Sequence, residues 1–156
     1  MCSLEQCRKL DEVDLKNLRW IGIKEHENFF KRNIHLKSDY YNNLIGICLT
    51  TNGALQYLNQ DNGTNDFDIW HFYLECDKFF PYRAYKRIND GYISKRIDLL
   101  KRVIPRYIYM KNINEPERVI INYLLYGNNK FKSELLASPI IGLYPDSIFG
   151  KVIWNK

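Results

Sequence analysis

Three short runs of apolar, β-branched and aromatic residues restrict this chain to folds built around a central sheet. They are Leu44–Thr50 (LIGICLT), Asp66–Leu74 (DFDIWHFYL) and Arg96–Val103 (RIDLLKRV), and each reads as a strand. Turn-forming residues punctuate them: Asn52-Gly53 after the first, Gln60-Asp61-Asn62-Gly63 before the second, and Pro105 after the third. Between and around them lie helical patterns. Asp14–Lys31 carries apolar residues at Leu15, Leu18, Ile21 or Ile23, and Phe29 or Phe30, with Gly22 counting against a helix. Ala54–Asn59 has helical character. Glu115-Pro116-Glu117 opens a further helix, because a proline in the first turn sacrifices no hydrogen bond and the acids complement the helix dipole; it runs to Tyr126, where Gly127 stops it. Phe131–Ile141 is expected to be another helix, and Val152–Trp154 a last short apolar piece.

The resulting order, α-β-α-β-β-α-α, predicts one small α/β domain spanning residues 1–156, with a mixed β-sheet flanked by helices. A chain of 156 residues can bury one core without staples, and no repeat or Pro/Gly-rich linker divides it. No apolar run approaches the roughly 20 residues that span a bilayer. The segment Met1–Asp14 holds Glu5, Asp11, Glu12 and Asp14 in place of a signal peptide's apolar stretch. A cytoplasmic protein with no membrane partner is expected. Cys2 and Cys7 complete no CxxC pair, whereas Cys48 and Cys76 sit in apolar stretches as free thiols, which suits a reducing compartment.

Chemistry is suggested by the acids on the strands. Side chains at i and i+2 of a strand emerge on one face, so Asp66 and Asp68 lie together while Phe67 and Ile69 bury opposite them. Asp98 is flanked by Ile97 and Leu99 in the same way. If the second and third strands are neighbours, three carboxylates converge, enough hard oxygen ligands for Mg²⁺ or Mn²⁺ and for in-line phosphoryl or nucleotidyl transfer, with Asp98 as base. Nine basic residues against two acids fill Lys78–Arg106, while the whole chain carries only +5. Such a surplus attracts phosphates, or simply solvates a face. Tyr82, Tyr85 and Tyr92 interleave with it, as base-stacking groups or as packing.

The order strand, Asn52-Gly53, short helix, Thr64, Asp66-Phe67-Asp68-Ile69 and later Asp98 resembles the polymerase-β-type nucleotidyltransferase superfamily. It is most similar to the branch of minimal enzymes that includes the AbiEii-type toxin. The resemblance covers residues 44–103. It implies a metal-dependent transferase that moves a nucleoside monophosphate from a nucleoside triphosphate to a hydroxyl on RNA, protein or a small molecule, in a toxin–antitoxin-like setting. The implied metal ligands are Asp66, Asp68 and Asp98, and Asn52, Gly53 and Thr64 would contribute to nucleotide binding. The family's turn usually offers Gly-Gly or Gly-Ser; with Asn52-Gly53 instead, Arg83, Lys86, Arg87 or Lys95 would take over the triphosphate. The alternative is a catalytically inactive relative that serves as a binding or interaction module. A metal-dependent nuclease fits less well, since Glu75-Cys76-Asp77-Lys78 lacks the acid-x-Lys spacing. His71 reads as a core histidine, and His26 and His35 as surface residues. No GxSxG, HExxH or P-loop spacing is present.

Overall fold

In the computed structural model, which describes residues 9–58, 66–81, 84–88, 96–110, 113–128, 130 and 132–155, the first described element is a helix fixed by its own cap. Asp11 accepts the Asp14 N–H at 3.0 Å and Asp14 accepts the Asp11 N–H at 2.8 Å, a reciprocal capping box that opens α1 (Glu12–Arg32). Gly22 lies inside this helix because α1 approaches the sheet closely there: a Cβ would meet Ile47 Cγ2 at 3.0 Å. After α2 (Ile34–Tyr40) and a 3₁₀ turn come β1 (Leu44–Thr50), α3 (Thr51–Leu58), β2 (Asp66–Leu74), β3 (Tyr85–Ile88) and β4 (Arg96–Ile104). Pro105 then ends β4 and begins the single turn α4 (Arg106–Tyr109). The helices α5 (Pro116–Tyr126) and α6 (Lys132–Leu136), then β5 (Ile140–Tyr144) and β6 (Val152–Trp154), complete the chain. No helix among the described residues is long and apolar enough to cross a membrane.

The six strands form one mixed sheet in the order β3-β4-β2-β1-β5-β6, in which β2 and β4 run parallel and every other pair is antiparallel. Both faces are covered, which is why β2 and β4 are apolar almost throughout. One face packs Phe67, Ile69, Ile97 and Leu99 against Leu15 and Leu18 of α1 and Ala54 of α3. The other packs Trp70, Phe72 and Ile104 against Ile108 and Tyr109 of α4, Ile120 and Tyr123 of α5 and Leu135 of α6. The chain is thus a small α/β domain with a mixed six-stranded sheet between helical layers.

Three expectations need correction. Phe131–Ile141 is not one helix: α6 ends at Leu136 and Ile140 enters the sheet, because Pro139 disfavours helical backbone at Ser138 and cannot supply the N–H that a helix would need. The basic segment between the second and third acids contains an edge strand, β3, which carries Tyr85 and Arg87 on one face and Lys86 and Ile88 on the other. His26 is not on the surface; it is buried, its Nδ1 lies 2.8 Å from the Tyr73 hydroxyl, and burial holds its pKa below the ordinary value. His71 is a core histidine as expected, with Nε2 2.9 Å from the Gly22 carbonyl and Nδ1 3.1 Å from that of Leu100. Cys48 is buried as a free thiol, Cys76 is half-buried, and Cys2 and Cys7 lie outside the described residues.

Candidate functional site

The parallel pairing of β2 with β4 sets Asp68 directly opposite Asp98 and Asp66 opposite Arg96. The antiparallel edge strand then sets Arg87 opposite Asp98. Alternation along all three strands therefore gathers Asp66, Asp68, Asp98, Arg87, Arg96 and Tyr85 on the face that also packs α5 and α6, at the end of the sheet where β1 turns into α3. Like charges facing each other across a strand pair destabilise a sheet, so this arrangement needs counter-charge.

Two arginines supply part of it. Arg96 donates from Nε and Nη2 to the two oxygens of Asp66, both at 2.9 Å. Arg87 donates from Nε to Asp98 Oδ1 at 2.7 Å and more weakly from Nη2 to Oδ2 at 3.4 Å, and the Tyr85 hydroxyl donates to the same Oδ1 at 3.1 Å. Both arginine side chains remain 43% exposed. Asp68 is treated differently: the bond recorded to its carboxylate comes from the Thr51 hydroxyl, at 2.9 Å on Oδ2. Burial pushes the Asp68 carboxyl up to about 6; the Thr51 hydrogen bond opposes this, and the charges of Asp98, Glu134 and Asp66 reinforce it. Among the described residues no three His, Cys, Asp or Glu side chains are close enough together to hold one metal ion in this arrangement.

Thr51 itself is unusual. Its φ is +51°, a left-handed conformation that a β-branched residue adopts only when its surroundings force it. The cause is the abrupt change from β1 to α3, which aims the Thr51 hydroxyl at Asp68. Asn52 follows, exposed, in the first turn of α3. Gly53 is buried, and a Cβ there would lie 2.8 Å from Phe67 Cδ1 and 2.9 Å from Leu49 Cδ1. Its role in the fold is close helix–sheet packing. Gly53→Ala is expected to lower stability by about 1–3 kcal/mol through overpacking, despite the better helix propensity of alanine, as measured by urea unfolding.

Of the residues singled out in the sequence, the structure brings to one end of the sheet Asp66, Asp68, Asp98, Arg87 and Tyr85, the last as a hydrogen-bond donor to Asp98. Lys86 does not join them: it faces α1, with Nζ 3.8 Å from Glu25. Thr64, Arg83 and Lys95, like Tyr82 and Tyr92, lie outside the described residues. Sequence reasoning missed three contributors. Arg96 stands two residues before Asp98 and joins the site through its register with Asp66, and Thr51 reaches it through the turn into α3. Glu134, on α6, acts on Asp68 through space, and nothing in its local sequence marks it. Comparison of the chain with protein-family models, curated proteins and solved structures finds no match.

Proposed function

We propose that this acidic end of the sheet is a divalent-cation site for transfer of a nucleoside monophosphate from a nucleoside triphosphate to a hydroxyl acceptor. The observation that carries the reading is the facing pair Asp68 and Asp98, joined by Asp66, with more carboxylate charge than Arg87 and Arg96 neutralise. Hard oxygen donors of this kind suit Mg²⁺ or Mn²⁺. In this arrangement the three carboxylates do not close on one ion; holding it would require the two guanidiniums, each 43% exposed, to turn away from Asp66 and Asp98. When bound, the metal would neutralise triphosphate charge and acidify the acceptor hydroxyl. Asp66, Asp68 and Asp98 would hold it. Arg87 and Arg96, released from the carboxylates, would be free to take phosphate oxygens in the same bidentate manner. Asp68 is less encumbered than Asp98, which Arg87 and Tyr85 hold, so it is the carboxylate most open to an incoming ion.

Isothermal titration of the protein with each nucleoside triphosphate, with and without Mg²⁺, tests this. Metal-dependent binding that is lost in Asp68→Ala is the expected result; absence of binding to all four triphosphates overturns it. The arginine pairs favour one other reading, a nucleotidyltransferase-like module in which Arg87 and Arg96 permanently occupy the cation position. That module would tolerate Asp66→Asn and Asp98→Asn with its partner binding intact.

A further inference from the structure

On the opposite face of the sheet, α1 and the edge strand β3 enclose a cleft of about 490 Å³, within the range of roughly 300–1,000 Å³ typical of small-molecule sites. Its wall on α1 is a stripe at helical spacing, Trp20, Lys24 and Asn28, and Lys86 of β3 stands across from it. Ile88 and Leu99 line the same cleft. Among the described residues the side chains of Trp20, Lys24 and Asn28 make no ring contact, ion pair or hydrogen bond. Trp20 is 63% exposed, on the solvent side of a helix whose other side is buried against the sheet.

Charge selects the class of ligand. At the base of the cleft Glu25 is already held by Lys101 Nζ at 2.6 Å and Arg32 Nη2 at 3.1 Å, so Lys86, at 3.8 Å, is surplus to its neutralisation. Lys24 and Lys86 therefore leave the mouth of the cleft positive. A free indole, two cations and one carboxamide together match three parts of a nucleotide. A base stacks on an aromatic face, its edge pairs with a side chain that both donates and accepts, and its phosphate sits between ammonium groups.

We infer that this cleft binds a nucleotide unit, with the base on Trp20, the base edge at Asn28 and the phosphate between Lys24 and Lys86. The unit is either a free mononucleotide or one residue of a single strand. The site is separate from the carboxylates, which lie across the sheet, and its occupancy does not require their chemistry.

Trp70 is buried and Trp154 is half-buried with its indole N–H bonded to the Leu136 carbonyl, so the exposed emission belongs to Trp20. Titration of the full chain with adenosine, guanosine, cytidine or uridine monophosphate is expected to quench that emission saturably. A short single-stranded oligoribonucleotide, followed in the same way, identifies the source: tighter binding than the monophosphate marks a strand, and equal binding marks the free nucleotide. By calorimetry, Trp20→Leu and Lys24→Ala should each weaken binding about tenfold, while omission of Mg²⁺ leaves it unchanged. Lys24 is exposed and unpaired among the described residues, so its replacement tests the cleft without threatening the fold. The inference is overturned if no monophosphate binds at millimolar concentration, if inorganic phosphate binds equally well, or if Lys24→Ala has no effect.

Discussion

Glu25→Gln is expected to destabilise the fold by about 3–5 kcal/mol. Glu25 and Lys101 form a salt bridge at 2.6 Å, and their side chains are only 2% and 1% exposed. The Lys101 ammonium also lies 4.8 Å from the centre of the Phe29 ring. Desolvation lowers the Lys101 pKa, and the Glu25 charge is what keeps the ammonium tolerable there. Glutamine preserves shape and hydrogen-bonding capacity but leaves that charge uncompensated. Lys101→Met should cost less, because Glu25 keeps Arg32 and Lys86 as partners, both of which reach solvent. The double replacement Glu25→Leu with Lys101→Met should recover much of the loss, since an apolar pair carries no desolvation penalty. Urea unfolding of the three variants measures these differences. A Glu25→Gln cost below about 1 kcal/mol would mean that Lys101 is solvated or neutral in the fold.

The pH dependence of that difference follows from the same groups. Burial alone raises the Glu25 carboxyl, but Lys101 and Arg32 together outweigh it and hold the group below its ordinary value of 4.5. A depressed acid stabilises the fold above its unfolded pKa and loses that contribution as pH falls through the folded value. The gap between the wild type and Glu25→Gln should therefore be full at neutrality and shrink below about pH 4.5.

The strands were legible because burial on both faces writes itself as continuous apolar sequence: Leu44–Thr50 and Asp66–Leu74 occur at the boundaries read from the chain, and the third strand gains one residue, Ile104. The first helix was legible only in outline, since its start depends on the Asp11–Asp14 cap and its Gly22 answers to Ile47, a contact far away in sequence. The edge strand was illegible for the opposite reason. An edge is half solvated and guarded by charge, so Tyr85–Ile88 contains one aliphatic residue and looks like a loop. The acids of the site were readable from alternation, but their partners were not. Arg87 and Arg96 reach them through strand order and register, and Thr51 through a backbone turn that no propensity favours. The segment around Pro139 looks helical in sequence because its apolar run directly follows α6, yet that run is the strand beside β1.

Asp68→Asn should abolish the proposed metal-dependent transfer and, in metal-free buffer, make the protein more stable. The two effects share one cause. The folded state raises the Asp68 carboxyl from 3.8 to about 6, so between those values it binds more protons than the unfolded chain. Stability consequently falls as pH rises through that window, and above about pH 6 the full cost is present. The cost is on the order of 2 kcal/mol after allowance for the part of the side chain that water reaches. Asparagine keeps an oxygen for the Thr51 hydroxyl and removes the charge that Asp98, Asp66 and Glu134 repel. Thermal melts in EDTA should show Asp68→Asn above the wild type at pH 7.5 and close to it at pH 4. Mg²⁺ should then raise the wild-type melting temperature and leave that of Asp68→Asn unmoved, because a cation at this position relieves a repulsion that the variant no longer has. An unstable Asp68→Asn at pH 7.5 would make Asp68 a structural hydrogen-bond partner of Thr51. A stabilised variant with no wild-type response to Mg²⁺ would instead assign the cation position to Arg87 and Arg96. A half-buried residue near the start of β2 whose charge costs stability is the pattern expected of a binding group, since packing alone would favour the amide.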